Sequence, residues 1–405
     1  MARLFGTDGV RGVANVRLDC PLAYQLGKYG ARVLQEHFQV EGSVVIGHDG
    51  RISADMLASS LAAGFMSEGL DVYPIGLIPT PGLAYTTKTG PYALGAMVSA
   101  SHNSFEHNGI KFFDHSGQKL PDVLEDRIEA YIQGWIADTL PPLEGADLGR
   151  IHRSDDAVKT YGEYLLSRFS PEGRGRKIGL DLANGATSIL AKELFENLGF
   201  DVEVLLGAQP DGTNINASCG STHPEQLSRA IKESDCQMGF AFDGDGDRLI
   251  ALDKDGQIID GDRIMAVLAL AYQKQGLLKG KSLVATIMSN LGLDKFCEKN
   301  GITLYKTQVG DRYVLEKLIS DNLVLGGEQS GHIILRDHQT TGDGLLSALA
   351  LISALDSLDM DLSQIDEVMT LYPQCLKNVP VLHEMKGKIM ADTKLKDEID
   401  RTEKA

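Results

Sequence analysis

One arrangement recurs three times along the chain, and it restricts the fold more than any other feature. A short β-branched run leads into a polar or Gly-containing loop, then a helical stretch, then a second strand opened by glycine. The first copy is Val44–Gly47, a loop at Asp49-Gly50, a helix over Ala54–Glu68 and then Gly69–Val72. The second is Lys177–Leu182, Asn184-Gly185, Ser188–Leu198 and Gly199–Val202. The third is Ser282–Ile287, Ser289-Asn290, Gly292–Asn300 and Gly301–Leu304. The strands are short and nearly all apolar, as expected for parallel strands covered on both faces. The helices carry apolar residues at helical spacing, such as Leu57, Leu61, Gly64 and Phe65. Each closing glycine supplies the positive φ of a helix C-terminus. Repeated βαβ units imply α/β sheets, one domain per copy.

A chain of 405 residues exceeds what one core can serve, so several domains are expected. The Pro-rich stretch Leu140–Gly145 follows a helix over Leu120–Ile136, on which Trp135 reads as packing. A weaker boundary falls near residues 250–260, and Tyr372-Pro373 breaks the chain before a strand-like segment, Asn378–Leu382. The expected domains are therefore 1–150, 151–252, 253–369 and 370–405. The last holds mostly charged residues, Lys386 to Lys404, which read as a solvated helix face. It is too short for a domain of its own kind, so the chain is expected to stop inside one.

Net charge is -17, which repels nucleic acid and anionic lipid and argues against both as partners. An anionic substrate would then need a local cluster of basic groups. Five cysteines are scattered without a CxxC pair, which fits a reducing compartment and argues against a disulfide framework or zinc site. The N-terminus shows no apolar leader, and the uncharged runs Ile264–Gln273 and Gly344–Leu355 are too short to span a bilayer. A soluble, cytoplasmic protein is expected. His37, His115, His152 and His383 read as surface residues.

Four segments carry chemistry. In Phe242-Asp243-Gly244-Asp245-Gly246-Asp247-Arg248, an apolar strand (Gly239–Phe242) delivers three aspartates at strict alternation. An extended backbone would project all three to one side, with glycines allowing a tight path. Unneutralised, they would repel by about 3–4 kcal/mol per close pair at an effective dielectric of ~20, so a hard cation such as Mg²⁺ is the better account. An EF-hand fails, because its sixth position would be Arg248 and its twelfth Lys254. The second segment runs from Leu94–Val98 into Ser99-Ala100-Ser101-His102-Asn103, then Asn108-Gly109-Ile110-Lys111. Adjacent Ser and His rarely face each other, and a Ser/Asn turn bonding its own backbone is as good a reading. The third, Gly326–His332, offers Glu328, Gln329, Ser330 and His332 on a Gly-rich loop, or equally a plain hairpin. The fourth, Phe5–Gly12, places Arg11 among three glycines that could cradle a phosphate, although Gly-rich turns are common.

In this order, FGTDGVRG, SASHN…NGIK, DGDGDR and GEQSGH resemble the successive signatures of the α-D-phosphohexomutase superfamily, over essentially the whole chain. Within it, GTDGVRG and GEQSGH are most similar to the bacterial phosphoglucosamine mutases. The resemblance implies three successive α/β domains, with mixed or parallel sheets and the phosphoserine, metal and sugar loops in turn, plus the start of an incomplete fourth. It implies Ser101 as phosphoserine, with Asp243, Asp245, Asp247 and a Ser101 phosphate oxygen around one Mg²⁺. Lys111 and His102 become proton-transfer candidates. Arg11 and Arg248 would sit near the phosphoryl group, Glu328, Ser330 and His332 would hold the sugar, and Gln329 would mark the amino-sugar specificity. The implied reaction interconverts glucosamine 6-phosphate and glucosamine 1-phosphate through glucosamine 1,6-bisphosphate, feeding UDP-N-acetylglucosamine and cell-wall synthesis. Phosphomannomutase or phosphoglucomutase activity, or sugar-phosphate binding without turnover, are the alternatives. A phosphosugar is the implied partner. A homodimer is left open, as is whether a kinase or autophosphorylation first loads Ser101. One departure stands out: the family's fourth-domain Ser/Thr/Gly/Arg-rich loop, which grips the distal phosphate, has no counterpart in 370–405. The chain is accordingly expected to be truncated there, to keep its metal site and to bind phosphosugar weakly.

Overall fold

The computed structural model of the protein describes residues 3–6, 8–38, 42–153, 156–375, 379–381 and 385–403. The chain divides into two compact units, Met1–Leu371 and Tyr372–Ala405.

Three sheets build the first unit. The six-stranded sheet runs in the order Phe5–Gly6, Gly9–Val13, His107–Asp114, Tyr92–Val98, Ser43–His48, Asp71–Leu77. The five-stranded sheet runs Ile258–Ile259, Leu249–Asp253, Met238–Phe242, Lys177–Asp181, Asp201–Leu206. The four-stranded sheet runs Thr303–Thr307, Ser282–Thr286, Leu325–Gly327, Ile333–Leu335. Each recurring unit closes as a parallel pair: Ser43–His48 with Asp71–Leu77, Lys177–Asp181 with Asp201–Leu206, and Ser282–Thr286 with Thr303–Thr307. Antiparallel strands complete each sheet, so all three are mixed. The glycines after the three helices, Gly69, Gly199 and Gly301, have φ of 82°, 82° and 64°.

The two uncharged runs too short for a bilayer are core helices. Gly261–Lys274 and Gly344–Leu358 are buried almost all round, as helices apolar on every face must be. Asp260 and Asp343 cap them, accepting from the N–H groups of Arg263 and Leu346. One apolar cluster runs through both, from Tyr161 to Met369, and unites the second and third sheets, whereas the first sheet keeps its own core around Phe65 and Phe112. No helix among the described residues is long and apolar enough to cross a membrane.

Three local expectations change. The stretch Ser188–Leu198 is a 3-10 turn, Ala186–Ile189, followed by a helix, Ala191–Asn197. Here the Ser188 hydroxyl bonds the Gly185 carbonyl (2.7 Å) and Ala186 N–H bonds the Gly244 carbonyl (2.8 Å), so the segment bends to meet the triple-aspartate loop. The helix expected over Leu120–Ile136 spans Asp122–Ile132, with Pro121 at its N-cap and Gly134 at positive φ beyond its end. Trp135 falls after the helix and stands 64% exposed instead of packing.

The second unit contains two helices, Lys386–Ala391 and Thr393–Glu403, separated at Asp392, whose side chain accepts from Lys394 N–H at 2.8 Å. Its described side chains are exposed, as a solvated charged face requires. Residues 379–381 form no strand, and the rest of the strand-like segment expected there, like His383, lies outside the described residues.

Candidate active site

The chemistry-bearing loops leave the C-terminal ends of strands. The serine loop follows Tyr92–Val98, the triple-aspartate loop follows Met238–Phe242, and the Glu328 loop follows Leu325–Gly327. Ligand sites of open α/β sheets gather at such ends.

Asp243, Asp245 and Asp247 are all buried, and one carboxylate oxygen from each lies within 4.8 Å of the others. The convergence expected from strand alternation has a different origin. Residues 243–248 leave the strand and form a tight turn, with Gly246 at φ 71°, that wraps the carboxylates around one point. Burial, then Asp247 and Asp245, push the Asp243 carboxyl well above the usual range. Oδ1 of Asp245 and Oδ1 of Asp247 are buried without a hydrogen-bond partner. Clustered carboxylates with unclaimed oxygens fit a hard cation, because oxygen ligands of that charge are what Mg²⁺ takes.

Ser101 is brought to this cluster, its Oγ donating to Asp243 Oδ2 at 2.6 Å. It is 1% exposed and sits at φ 50°, in the left-handed region that costs a non-glycine residue roughly 1–2 kcal/mol. Lys111 Nζ stands 2.9 Å from Asp245 Oδ2 and 3.1 Å from Asp8 Oδ2. Burial works against its charge, but Asp245 and Asp8 prevail and hold the ammonium above its usual range. Arg11 is ion-paired with Asp8. The glycines beside it serve packing: the hairpin of Phe5–Gly6 and Gly9–Val13 lies so close on its neighbour that a side chain at Gly9 would meet the Ile110 carbonyl at 2.3 Å.

Arg248 lies beside Asp247, Nε to Oδ1 at 3.9 Å, and its N–H donates to Asp243 Oδ1 at 3.2 Å. Burial lowers its proton affinity, but Asp243, Asp247 and Glu328 raise it further. His102 is lowered to about 4 by burial and by Arg248 and Arg11, so its ring is neutral, and its Nδ1 has no hydrogen-bond partner. His332 is buried, with Nδ1 3.5 Å from Asp247 Oδ2 and Nε2 3.5 Å from Asp311 Oδ2. Against the cost of burial, these two carboxylates raise its affinity for a second proton to about 9. Yet the Gly342 N–H at 3.0 Å needs a lone pair on Nε2, so in this geometry the ring carries one proton, facing Asp247.

Glu328 and Ser330 do not touch the aspartates. Glu328 Oε1 accepts the Gly310 N–H at 3.0 Å, Gln329 Nε2 donates to Asp260 Oδ2 at 3.1 Å, and Ser330 is exposed at the loop tip. Several residues absent from the sequence reading complete the site. Thr80 Oγ1 donates to Asp245 Oδ2 at 2.6 Å, and its N–H to the Asp245 carbonyl at 2.8 Å. Lys119 Nζ bridges Asp8 and Asp311, at 2.6 Å from the latter, joining the first sheet's loops to the third's. Arg51 and Asn216 hold the serine loop from beneath. Only the Asp49-Gly50 turn next to Arg51 had given a local signal.

With this geometry in place, the relatives are informative. The chain matches the phosphoglucomutase/phosphomannomutase family, its alpha/beta/alpha domain I over residues 2–137, domain II over 159–256 and domain III over 260–372. It is 48% identical to a phosphoglucosamine mutase of Carboxydothermus hydrogenoformans, over 100% of this chain and 90% of that one. It is 47% identical to a phosphoglucosamine mutase of Ruminiclostridium cellulolyticum, over 98% of this chain and 88% of that one. A crystal structure of a phosphoglucomutase/phosphomannomutase family protein from Burkholderia thailandensis superposes with a TM-score of 0.80 at 27% identity, covering 96% of this chain and 84% of that one. The aspartate cluster, its serine and the three mixed sheets thus sit in a known lineage, and the chain belongs to the phosphoglucosamine mutase family.

Proposed function

We propose that this chain interconverts glucosamine 6-phosphate and glucosamine 1-phosphate through a phosphorylated Ser101 and a 1,6-bisphosphate intermediate. The observation that carries the reading is the 2.6 Å contact between Ser101 Oγ and Asp243 in a buried wall of three carboxylates, with Lys111 alongside. A serine placed there is stable as a phosphoester only if its charge is met. A dianionic phosphate and three aspartates total about -5, which one divalent cation, Lys111 and Arg248 reduce to about -1. Asp243, Asp245 and Asp247, with Ser101, would hold Mg²⁺, which when bound would neutralise charge developing on the phosphoryl oxygens.

The protein's own groups then divide the work. Lys111, kept protonated by Asp245 and Asp8, offers its charge and its N–H groups to the oxygen of Ser101 as that oxygen leaves phosphorus. His102, kept neutral by burial and by Arg248 and Arg11, would accept the proton of the attacking sugar hydroxyl in this reading. The sugar's proton would pass to His102 while Lys111 would give one to the leaving oxygen of Ser101, so the step balances, and the return transfer would restore both groups. In the second half the other phosphate of the bisphosphate returns to Ser101 and the roles reverse. Arg11 and Arg248 supply the local basic groups that a chain of net charge -17 needs to admit an anionic substrate. Glu328 and Ser330 would receive the sugar, whereas both ring nitrogens of His332 are already engaged, by Asp247 and the Gly342 N–H, which argues against the sugar contact expected for it. Five free cysteines suit reducing surroundings and support a cytoplasmic setting for this reading.

The test is side-by-side kinetics on glucosamine, mannose and glucose 6-phosphates, with intact-mass analysis for phosphate on Ser101. Preference for a neutral hexose would overturn the amino-sugar assignment. Retained turnover in Ser101→Ala would overturn the mechanism.

A further inference from the structure

Two side chains, from loops that follow strands of the first and second sheets, grip the same pair of carbonyls beneath the serine loop. Arg51 Nη2 donates to the carbonyls of Ser101 (2.7 Å) and Asn103 (2.9 Å). Asn216 Nδ2 donates to the same two, at 2.9 Å and 3.1 Å. Arg51 is 2% exposed, and its other N–H groups go to Asp49 Oδ2 at 2.8 Å and to the carbonyls of Ser104 and His107. All five guanidinium donors are therefore spent inside the protein, four of them on residues 101–107, and none is left for a substrate. Asn216 is itself anchored, its N–H bonding the Ala183 carbonyl at 2.8 Å. The aspartate loop closes over the grip. A side chain at Gly244 would stand 2.7 Å from Asn216 Nδ2 and 2.8 Å from the Ser101 carbonyl.

This arrangement accounts for the φ of 50° at Ser101. Left-handed backbone in a non-glycine residue persists only where its surroundings over-determine it. Here the peptide oxygen of the strained residue is fixed by two donors at once. Its N–H is fixed by Ser99 Oγ at 2.9 Å, and that hydroxyl is tied in turn to Asp49 Oδ2 at 2.7 Å. With the peptide locked on both sides, the Cα–Cβ bond of Ser101 is fixed, and the rotamer adopted on it aims Oγ at Asp243.

We propose that Arg51 and Asn216 are positioning residues, a two-carbonyl clamp that holds Ser101 in its left-handed conformation so that Oγ stays aimed at Asp243 through both phosphoryl transfers. This rests on the role proposed above for Ser101. Neither side chain reaches substrate, so the clamp acts on kcat and not on KM. Two variants test it. Asn216→Asp puts carboxylate oxygens against two carbonyls. Arg51→Lys keeps the charge but can serve three of the five acceptors at most. Kinetics are read alongside hydrogen exchange of residues 99–108 and the thermal midpoint. In folded variants, exchange at 99–108 should quicken and kcat should fall by about 100-fold, the scale of an ångström misplacement, with KM within about threefold. Wild-type exchange in both folded variants would overturn the clamp, and so would loss of kcat without faster exchange, or an equal rise in KM. If wild type itself does not turn over, the function reading fails, while the exchange measurement still decides the clamp.

Discussion

Asp243→Asn should have opposite consequences in the presence and absence of Mg²⁺. One oxygen from each aspartate lies within 4.8 Å of the others, so each ionised pair repels by ~3.5 kcal/mol at an effective dielectric of 20. Removing the charge at 243 deletes two such pairs, a gross relief of ~7 kcal/mol by the same relation. The raised proton affinity of Asp243 lets the protein escape part of that repulsion, and the variant forfeits attraction to Arg248, so a net gain of about 1–3 kcal/mol is the realistic figure. An asparagine oxygen can still accept from Ser101 Oγ, which limits the loss of hydrogen bonding. In chelator the variant should therefore melt at or above the wild-type temperature. With Mg²⁺ at about 1,000 times its dissociation constant, wild type should gain ~4.1 kcal/mol and overtake it, while the variant gains little. Differential scanning fluorimetry of both proteins, with chelator and with Mg²⁺, reads this crossover directly. A variant less stable than wild type by more than about 1 kcal/mol in chelator, or one with an undiminished Mg²⁺ response, would refute the claim that repulsion in this cluster is relieved by a cation.

Other perturbations test the surroundings. Thr80→Val removes the buried donor to Asp245 Oδ2 and should weaken Mg²⁺ binding about 10-fold, measured as the Mg²⁺ concentration that gives half the thermal shift. Gly244→Ala forces a methyl group against Asn216 and the Ser101 carbonyl and should cost about 1–3 kcal/mol of stability, read by denaturant titration. Asp343 is pushed up to about 6 by burial, so the folded state binds a proton that the unfolded state releases near 4. Stability should fall as pH rises from about 4 to 6 by up to ~3 kcal/mol from this group, and Asp343→Asn, which can still cap its helix, should flatten that part of the pH profile relative to wild type.

The three βαβ units were legible because their signals are local. Apolar spacing, a Gly-ended helix and a β-branched run act within a few residues, and each unit appears as a parallel strand pair. The aspartate loop was legible as a candidate metal site for a similar reason, since three carboxylates alternating with glycines in five residues can turn to one point. Its actual path is a turn and not an extended strand, because the loop packs against Asn216, Ala186 and Gly344, contacts that no local pattern encodes. Ser101 marks the limit. Next to its own neighbours it reads equally as a turn serine, and only the order of four motifs singled it out. What places it on Asp243 is a hydrogen bond across 142 residues, and its conformation is held by Asn216 from 115 residues away. Asp245 depends in the same way on Thr80, 165 residues distant. Residue type and spacing alone thus determined the units, the aspartate loop and the lineage. Tertiary packing alone decided which donors meet which acceptors, because pairing across such separations, and the burial that makes it strong, exist only once the sheets have come together.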